Sequence, residues 1–179
     1  MKRPALPLLA VLLLGLGPRL HAQDAALGLK VQALVPMGDL RDLTNGQTGA
    51  GLGVFIEIPL GDGLWLRPTV GGQYYPKKTN ASLGGAEVTV SSVDFMLDAL
   101  WFPNESGDRG PYLVGGLGGQ MWRVSPSGAA AISHTRLGAS GGIGYQFNSK
   151  LGLEVRAFWS PVEPTLTATG VSVGGVVRF

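Results

Sequence analysis

The chain has 179 residues, with 29 glycines, no cysteine and a formal net charge of +2. The lack of cysteine excludes disulfides, thiolate metal sites and a cysteine nucleophile. Beyond the N-terminal segment, His134 is the only histidine, Lys77-Lys78 is the only adjacent basic pair, and no glycine-rich run matches a nucleotide-binding motif. We therefore expect no metal site, no cofactor and no nucleic-acid partner.

Residues 1–22 have the pattern of a secretory signal peptide. Lys2 and Arg3 precede an apolar run from Ala5 to Leu16, which ends in a polar approach to a small residue. This run is shorter than the roughly 20 residues that a membrane helix needs. We expect cleavage to leave one domain, residues 23–179. The signal holds three of the 14 basic residues, so this domain carries 11 basic and 12 acidic residues.

Turn-rich stretches divide the remaining chain into eight segments, each long enough for a tilted membrane-spanning strand. The segments are 26–36, 50–59, 64–75, 86–102, 111–124, 134–147, 151–160 and 167–179. Tight turns and longer polar loops alternate between them, apart from a longer connection at 103–110 where a tight turn is expected. Such alternation is typical of a barrel with short turns on one side and long loops on the other.

Within these segments, apolar and polar side chains alternate with the period of a strand. In the seventh segment, for example, Leu153 and Val155 alternate with Glu154 and Arg156. A soluble barrel would bury the apolar set, whereas a membrane barrel turns it towards lipid. Aromatic residues near the segment ends favour the membrane barrel, because such rings prefer lipid interfaces. We assign Trp65, Trp101, Phe102, Tyr112, Tyr145, Phe147 and Phe179 to an inner belt, and Tyr74, Tyr75, Trp122, Phe158 and Trp159 to an outer belt.

The polar set of positions includes charges of both signs. An eight-stranded barrel is just wide enough for side chains to fill its interior, so we interpret these charges as a structural network that fills the lumen. Counting back from the tight turn at 60–63 places Glu57 nearly opposite Arg67 on the next strand, within reach of a cross-strand pair. The predicted network comprises Lys30, Glu57, Arg67, Asp94, Asp98, Glu154, Arg156 and Arg178.

The C-terminal segment reads TATGVSVGGVVRF, with Val171, Val173, Val177 and Phe179 in one phase. Together with the signal pattern, the eight segments and the aromatic belts, it resembles the eight-stranded outer-membrane β-barrel superfamily, similar to the transmembrane domain of OmpA and to OmpX. The resemblance implies an all-β, antiparallel up-and-down transmembrane barrel in the bacterial outer membrane, with short periplasmic turns and longer extracellular loops. It also implies contact with outer-membrane lipid and lipopolysaccharide. The same four residues would form the signal that the β-barrel assembly machinery reads.

The resemblance favours an integral outer-membrane protein that is a monomer and not an enzyme. Its loops at 39–48, 77–83 and 125–132 would provide structural support or contact an extracellular ligand. Three alternatives remain open. The protein could be an outer-membrane lipid hydrolase or acyltransferase that uses Ser133, His134 and Glu163 near the outer rim. It could instead be a soluble periplasmic carrier similar to lipocalins, or a narrow small-solute pore.

Overall fold

The computed structural model describes residues 25–80, 85–104, 107–163 and 166–179. In this part of the chain, eight strands and one short helix follow one another as β1 (Ala26–Met37), α1 (Gly38–Leu43), β2 (Gly49–Gly61), β3 (Leu64–Asn80), β4 (Ala86–Trp101), β5 (Gly110–Pro126), β6 (Ile132–Gln146), β7 (Leu151–Glu163) and β8 (Leu166–Arg178). Each strand pairs with the next in antiparallel fashion, and β8 pairs with β1 to close the barrel. The predicted eight-stranded up-and-down barrel is confirmed. The predicted signal peptide lies outside the described residues, among which no helix has the length and apolar content to cross a membrane.

The strands are strongly staggered around the barrel. A row of paired residues that starts at Met37 on β1 passes through Thr169, Trp159, Ala139, Leu117, Leu97 and Pro68, and it returns to β1 at Leu27. After one circuit of the barrel, the row has therefore moved ten residues along β1 towards its N-terminal end (37 − 27). Because stagger and strand tilt are linked in a closed barrel, the strands are inclined to the barrel axis and enclose a narrow lumen.

The two faces of each strand differ as the alternation predicts. On β2, Leu52 and Val54 are 60% and 49% exposed, whereas Phe55 and Glu57 on the opposite face are 2% and 0% exposed. The same division holds on β4, β5, β7 and β8, so the apolar set covers the outside and the charged set lines the lumen. A soluble carrier barrel requires the reverse arrangement, and that alternative is therefore wrong. An apolar exterior is suited to lipid.

The predicted aromatic belts are only half correct. Trp101, Tyr145, Phe147 and Phe179 at the inner end face outwards, as do Tyr74 and Trp159 at the outer end. Trp65 is half-buried. Five other belt residues point into the lumen and are buried: Tyr75, Phe102, Tyr112, Trp122 and Phe158. Their height along the barrel agrees with the prediction, but successive residues of a strand face opposite sides, so neighbours such as Tyr74 and Tyr75 cannot belong to one belt.

Several strands run further outwards than the sequence predicts. The prediction ends the third segment at Tyr75 because Pro76 and a polar run follow, yet β3 continues to Asn80. The pairing of β3 with β4 shifts register between Tyr75 and Lys78, which makes room for Pro76 in a bulge. Outside the hydrocarbon region a strand needs no lipid-facing alternation, so its sequence there gives little sign of a strand.

The lumen contains three layers of side chains along its axis. The outer apolar cluster consists of Leu34, Leu40, Tyr75, Val88, Val90, Trp122, Phe158, Val162 and Ala168. The charge layer, described below, lies between it and the inner aromatic cluster of Leu100, Phe102, Tyr112, Val114 and Trp65. Helix α1, at a position predicted to be an open loop, contributes the fully buried Leu40 to the outer cluster. The first outer connection thus folds back over the barrel mouth.

Candidate functional sites: the lumen and the outer rim

The structure places all eight predicted network residues on the lumen side of their strands. They come from β1, β2, β3, β4, β7 and β8, and seven of them are at most 9% exposed, with Lys30 half-buried. The set contains four cations and four carboxylates, so its formal charge is zero. Neutrality matters because an isolated charge in a dry, narrow lumen would carry a large desolvation penalty.

Arg67 is the hub of the charge layer and is completely buried. Its Nη1 lies 2.6 Å from Glu154 Oε1 and 3.3 Å from Glu57 Oε1, while its Nε lies 3.5 Å from Asp98 Oδ2. Glu57 is on the neighbouring strand, as the turn geometry predicts. Glu154 reaches Arg67 from β7, across the lumen. The guanidinium carbon also lies 5.2 Å from the centre of the Phe55 ring, a favourable cation–π distance.

Two further arginines extend this hub in opposite directions. Arg156 makes a two-pronged contact with Asp98, at 2.5 Å and 2.9 Å, and donates a third hydrogen bond to Ser140 Oγ at 2.7 Å. Arg178 lies 2.6 Å from Glu57 Oε2. Three arginines and three carboxylates therefore form one continuous set of ion pairs that joins five of the eight strands.

The inner end of the charge layer is closed by aromatic rings and by the turn between β4 and β5. Arg178 lies over the rings of Trp65 and Phe102, at 5.5 Å and 5.9 Å, and donates a hydrogen bond to the carbonyl oxygen of Gly107 at 2.8 Å. The hydroxyl of Tyr112 donates to Glu154 Oε1 at 2.8 Å. The aromatic partners differ from the prediction, because rings near the strand ends are typical of lipid belts. Gly107, in the connection between β4 and β5, thus lies directly against the inner end of the charge layer.

The first prediction concerns the carboxylate that two arginines share. Glu57→Ala should leave Arg67 and Arg178 buried with incomplete neutralisation, and the free energy of unfolding should fall by about 3–5 kcal/mol. The matched control is Glu87→Ala, which removes an exposed ion pair with Lys77 at 2.5 Å and should cost about 0–1 kcal/mol. Urea unfolding in detergent, followed by gel mobility with and without heating, measures both. Equal midpoints for the two variants would contradict a stabilising network.

A second prediction concerns Gly107, which has a φ of +61° and whose added Cβ would lie 2.4 Å from the Trp65 ring. Gly107→Ala should displace Trp65 from Arg178 and lower the thermal unfolding midpoint. Gly128→Ala is the matched control, since Gly128 also has a positive φ, of +81°, but an added Cβ meets open space. Both variants carry backbone strain of about 1–2 kcal/mol. If they unfold at the same temperature, the contact at Trp65 has no role in closing the barrel.

Ser133 and His134, the described side chains of the hydrolase alternative, do not face a common site. Ser133 and His134 are consecutive on β6, so their side chains point to opposite faces. His134 pairs across the strands with Trp122 and is half-buried. The side chain of Glu163 lies outside the described part of the structure. Among the described residues, no group of three or more histidine, aspartate or glutamate side chains is arranged to hold a metal ion.

At the outer rim, the hairpin of β5 and β6 stands apart from β7. Residues 132–138 of β6 pair with β5 alone, and pairing with β7 begins only at Ala139 opposite Trp159. Arg123 and Arg136 on this hairpin are exposed, and the sequence from Gly110 to Gln146 contains no aspartate or glutamate. The hairpin therefore extends beyond β7 at the outer rim, and all of its formal charges are positive.

The residues of the predicted assembly signal lie in the last strand and just beyond it. Val171, Val173 and Val177 share the outward face of β8, and Phe179 follows the strand and is 69% exposed. β8 pairs with both β7 and β1, so it completes the barrel.

No protein-family model and no curated protein matches the sequence. Solved structures do match. The attachment invasion locus protein Ail of Yersinia pestis, crystallised with the heparin analogue sucrose octasulfate, aligns over 87% of this chain and 97% of its own, with a TM-score of 0.59 and 12% identity. Neisserial surface protein A aligns over 87% and 97%, with a TM-score of 0.55 and 13% identity. A major outer membrane protein from Thermus thermophilus aligns over 87% and 99%, with a TM-score of 0.51 and 16% identity. The chain thus has the fold of the eight-stranded outer-membrane β-barrels.

Proposed function

We propose that this protein is an integral outer-membrane barrel with a closed lumen, which binds anionic ligands through the β5–β6 hairpin at the cell surface. The observation that carries the proposal is the projecting hairpin itself. Its formal charges are all positive, and residues 132–138 of β6 do not pair with β7. The apolar exterior supports the membrane location. The filled lumen supports a binding or structural role over that of a pore.

The charge of the hairpin defines the class of ligand. Arg123 lies on the outer face of β5, whereas Arg136 lies on the face that continues the lumen, so the two guanidinium groups flank the hairpin on both sides. Arginine forms two-pronged contacts with sulfate, phosphate and carboxylate groups. A flexible polyanion can contact both faces, and its binding would weaken with salt because both groups are exposed. Ail was crystallised with a heparin analogue, which makes a sulfated polymer the first ligand to test.

The other proposed contacts follow from the exterior surface. The outward residues would meet outer-membrane lipid and lipopolysaccharide, and the outward valines of β8 with Phe179 would be recognised by the β-barrel assembly machinery during insertion. We propose that the protein acts as a monomer and has no catalytic activity. The opposite orientation of Ser133 and His134 supports a non-catalytic role.

The third prediction tests the hairpin. Arg123→Ala/Arg136→Ala should fold with an unchanged heat-dependent gel shift, but cells that display it should bind several-fold less heparin at low salt. The matched control is Arg41→Ala/Lys77→Ala, which also removes two exposed positive charges at the outer end but leaves the hairpin intact. Binding is measured with fluorescent heparin on intact cells, across a salt titration. Equal losses in the two variants would indicate a general charge effect, and no binding by the unmodified protein would refute the proposed ligand class.

A further inference from the structure

A small polar cavity lies in the lumen between the charge layer and the outer apolar cluster. Its volume is about 30 Å³, and it is bounded by Arg156 on the side of the charge layer and by Phe158 on the side of the outer cluster. The polar side chains that line it include Lys30, Gln73, Asp94 and Gln120, from strands β1, β3, β4 and β5. Four strands thus bring polar groups to one point in the lumen.

Three of the atoms around this cavity need hydrogen-bond donors. Gln73 Oε1, Asp94 Oδ1 and Gln120 Oε1 are buried and have no hydrogen-bond partner among the described residues. The three side chains are 7%, 9% and 3% exposed. Buried polar atoms in folded proteins are nearly always satisfied, by protein or by ordered water. These acceptors therefore indicate a ligand that donates hydrogen bonds.

Lys30 and Asp94 are also the remaining pair of the lumen charges. The other three carboxylates, Glu57, Asp98 and Glu154, contact arginines directly. In the described part of the chain, no ion pair shorter than 4 Å joins Lys30 to Asp94, although both line the same cavity. A small polar molecule that bridged them would solvate both charges.

We propose that this cavity is a binding site for one or two ordered water molecules that bridge the Lys30 ammonium to the Asp94 carboxylate. One water accepts from Lys30 and donates to Asp94 Oδ1 and to one glutamine oxygen. A second water donates to the other glutamine oxygen, so the two waters together satisfy all the groups. The volume suits this occupant, since a water needs roughly 10–15 Å³ of such space. Turning either glutamine amide around would present a donor to the cavity, which water can also satisfy.

The charges around the cavity argue against an ion. Lys30 and Arg156 both line it, and Asp94 is the carboxylate that lines it, so a metal cation would face two positive groups. An anion would face the Asp94 carboxylate, to which it could donate no hydrogen bond. A neutral molecule that both donates and accepts avoids both conflicts. The bridged Lys30–Asp94 pair would then complete the neutral set of eight charges.

The direct test is a high-resolution crystal structure of the unmodified protein. We expect density for one or two waters within about 3.2 Å of both Lys30 Nζ and Asp94 Oδ1. An empty cavity would overturn the proposal. So would a direct contact between Lys30 and Asp94, or a metal ion identified by its anomalous signal after rubidium exchange.

A solution test measures the coupling between the two charges. Lys30→Met and Asp94→Asn should each lower the thermal unfolding midpoint, and the double variant should recover part of the loss because neither charge is then left alone. Strictly additive losses would contradict a bridged pair. Replacing sodium with choline should leave the midpoint of the unmodified protein unchanged. A midpoint that requires sodium would overturn the water site in favour of a cation site.

Discussion

The structure depends on one constraint: charged side chains on membrane-spanning strands have no place but the lumen, where they must neutralise one another. Arg67 meets this constraint at the centre of the barrel, completely buried and in contact with three carboxylates. Hydrocarbon on the outside cannot solvate a charge, and a lumen this narrow admits little water. Each inward charge therefore requires a partner, and the charges on six strands must be arranged together so that all of them are neutralised.

The need to neutralise the lumen charges links the register of the strands to the closure of the barrel. Arg67 on β3 contacts Glu154 on β7, and Arg178 on β8 contacts Glu57 on β2. Both pairs join strands that are not neighbours, so they form only when the barrel is closed. A slip of one residue in any of the six strands that carry these charges would turn its charge towards lipid. The charge layer thus selects the closed barrel, whatever its net contribution to stability, because buried ion pairs often contribute more to specificity than to stability.

The apolar and aromatic clusters at either end protect the charge layer from water. Leu40 of α1 and Trp122 of β5 pack in the outer cluster, and Phe102 and Tyr112 pack in the inner one. The inner cluster is also part of the polar network, because Tyr112 donates to Glu154. Exclusion of water strengthens the ion pairs and increases the cost of leaving any one incomplete. Because the lumen is filled, the outer rim, and above all the β5–β6 hairpin, is the surface available for ligand binding.

Local patterns in the sequence were enough to predict the strands, their faces and the nearest contact in the lumen. On β2, the positions of Leu52 and Val54 relative to Phe55 and Glu57 are enough to assign the two faces of the strand. The Glu57–Arg67 contact follows from the tight turn that joins β2 to β3. The contact of Arg67 with Asp98 was not predicted, because the long outer connection between β3 and β4 does not fix the register of these two strands. The contact with Glu154 was not predicted, because it crosses the lumen and depends on the stagger of the whole barrel. The outer ends of β3 and β5 were not predicted for a different reason. Beyond the bilayer, apolar and polar residues no longer have to alternate along a strand.

The measurement that tests this account most directly is the collision rate of oxygen with spin labels along β8 in a lipid bilayer. The chain has no cysteine, so single cysteines at Ser172, Val173, Gly175 and Val176 each give one labelled site without disturbing a charge. Oxygen is concentrated in the hydrocarbon, and the account predicts high collision rates at positions 173 and 175 and low rates at 172 and 176. High rates at 172 and 176, or no alternation, would contradict a barrel whose apolar face meets lipid and whose charges are enclosed.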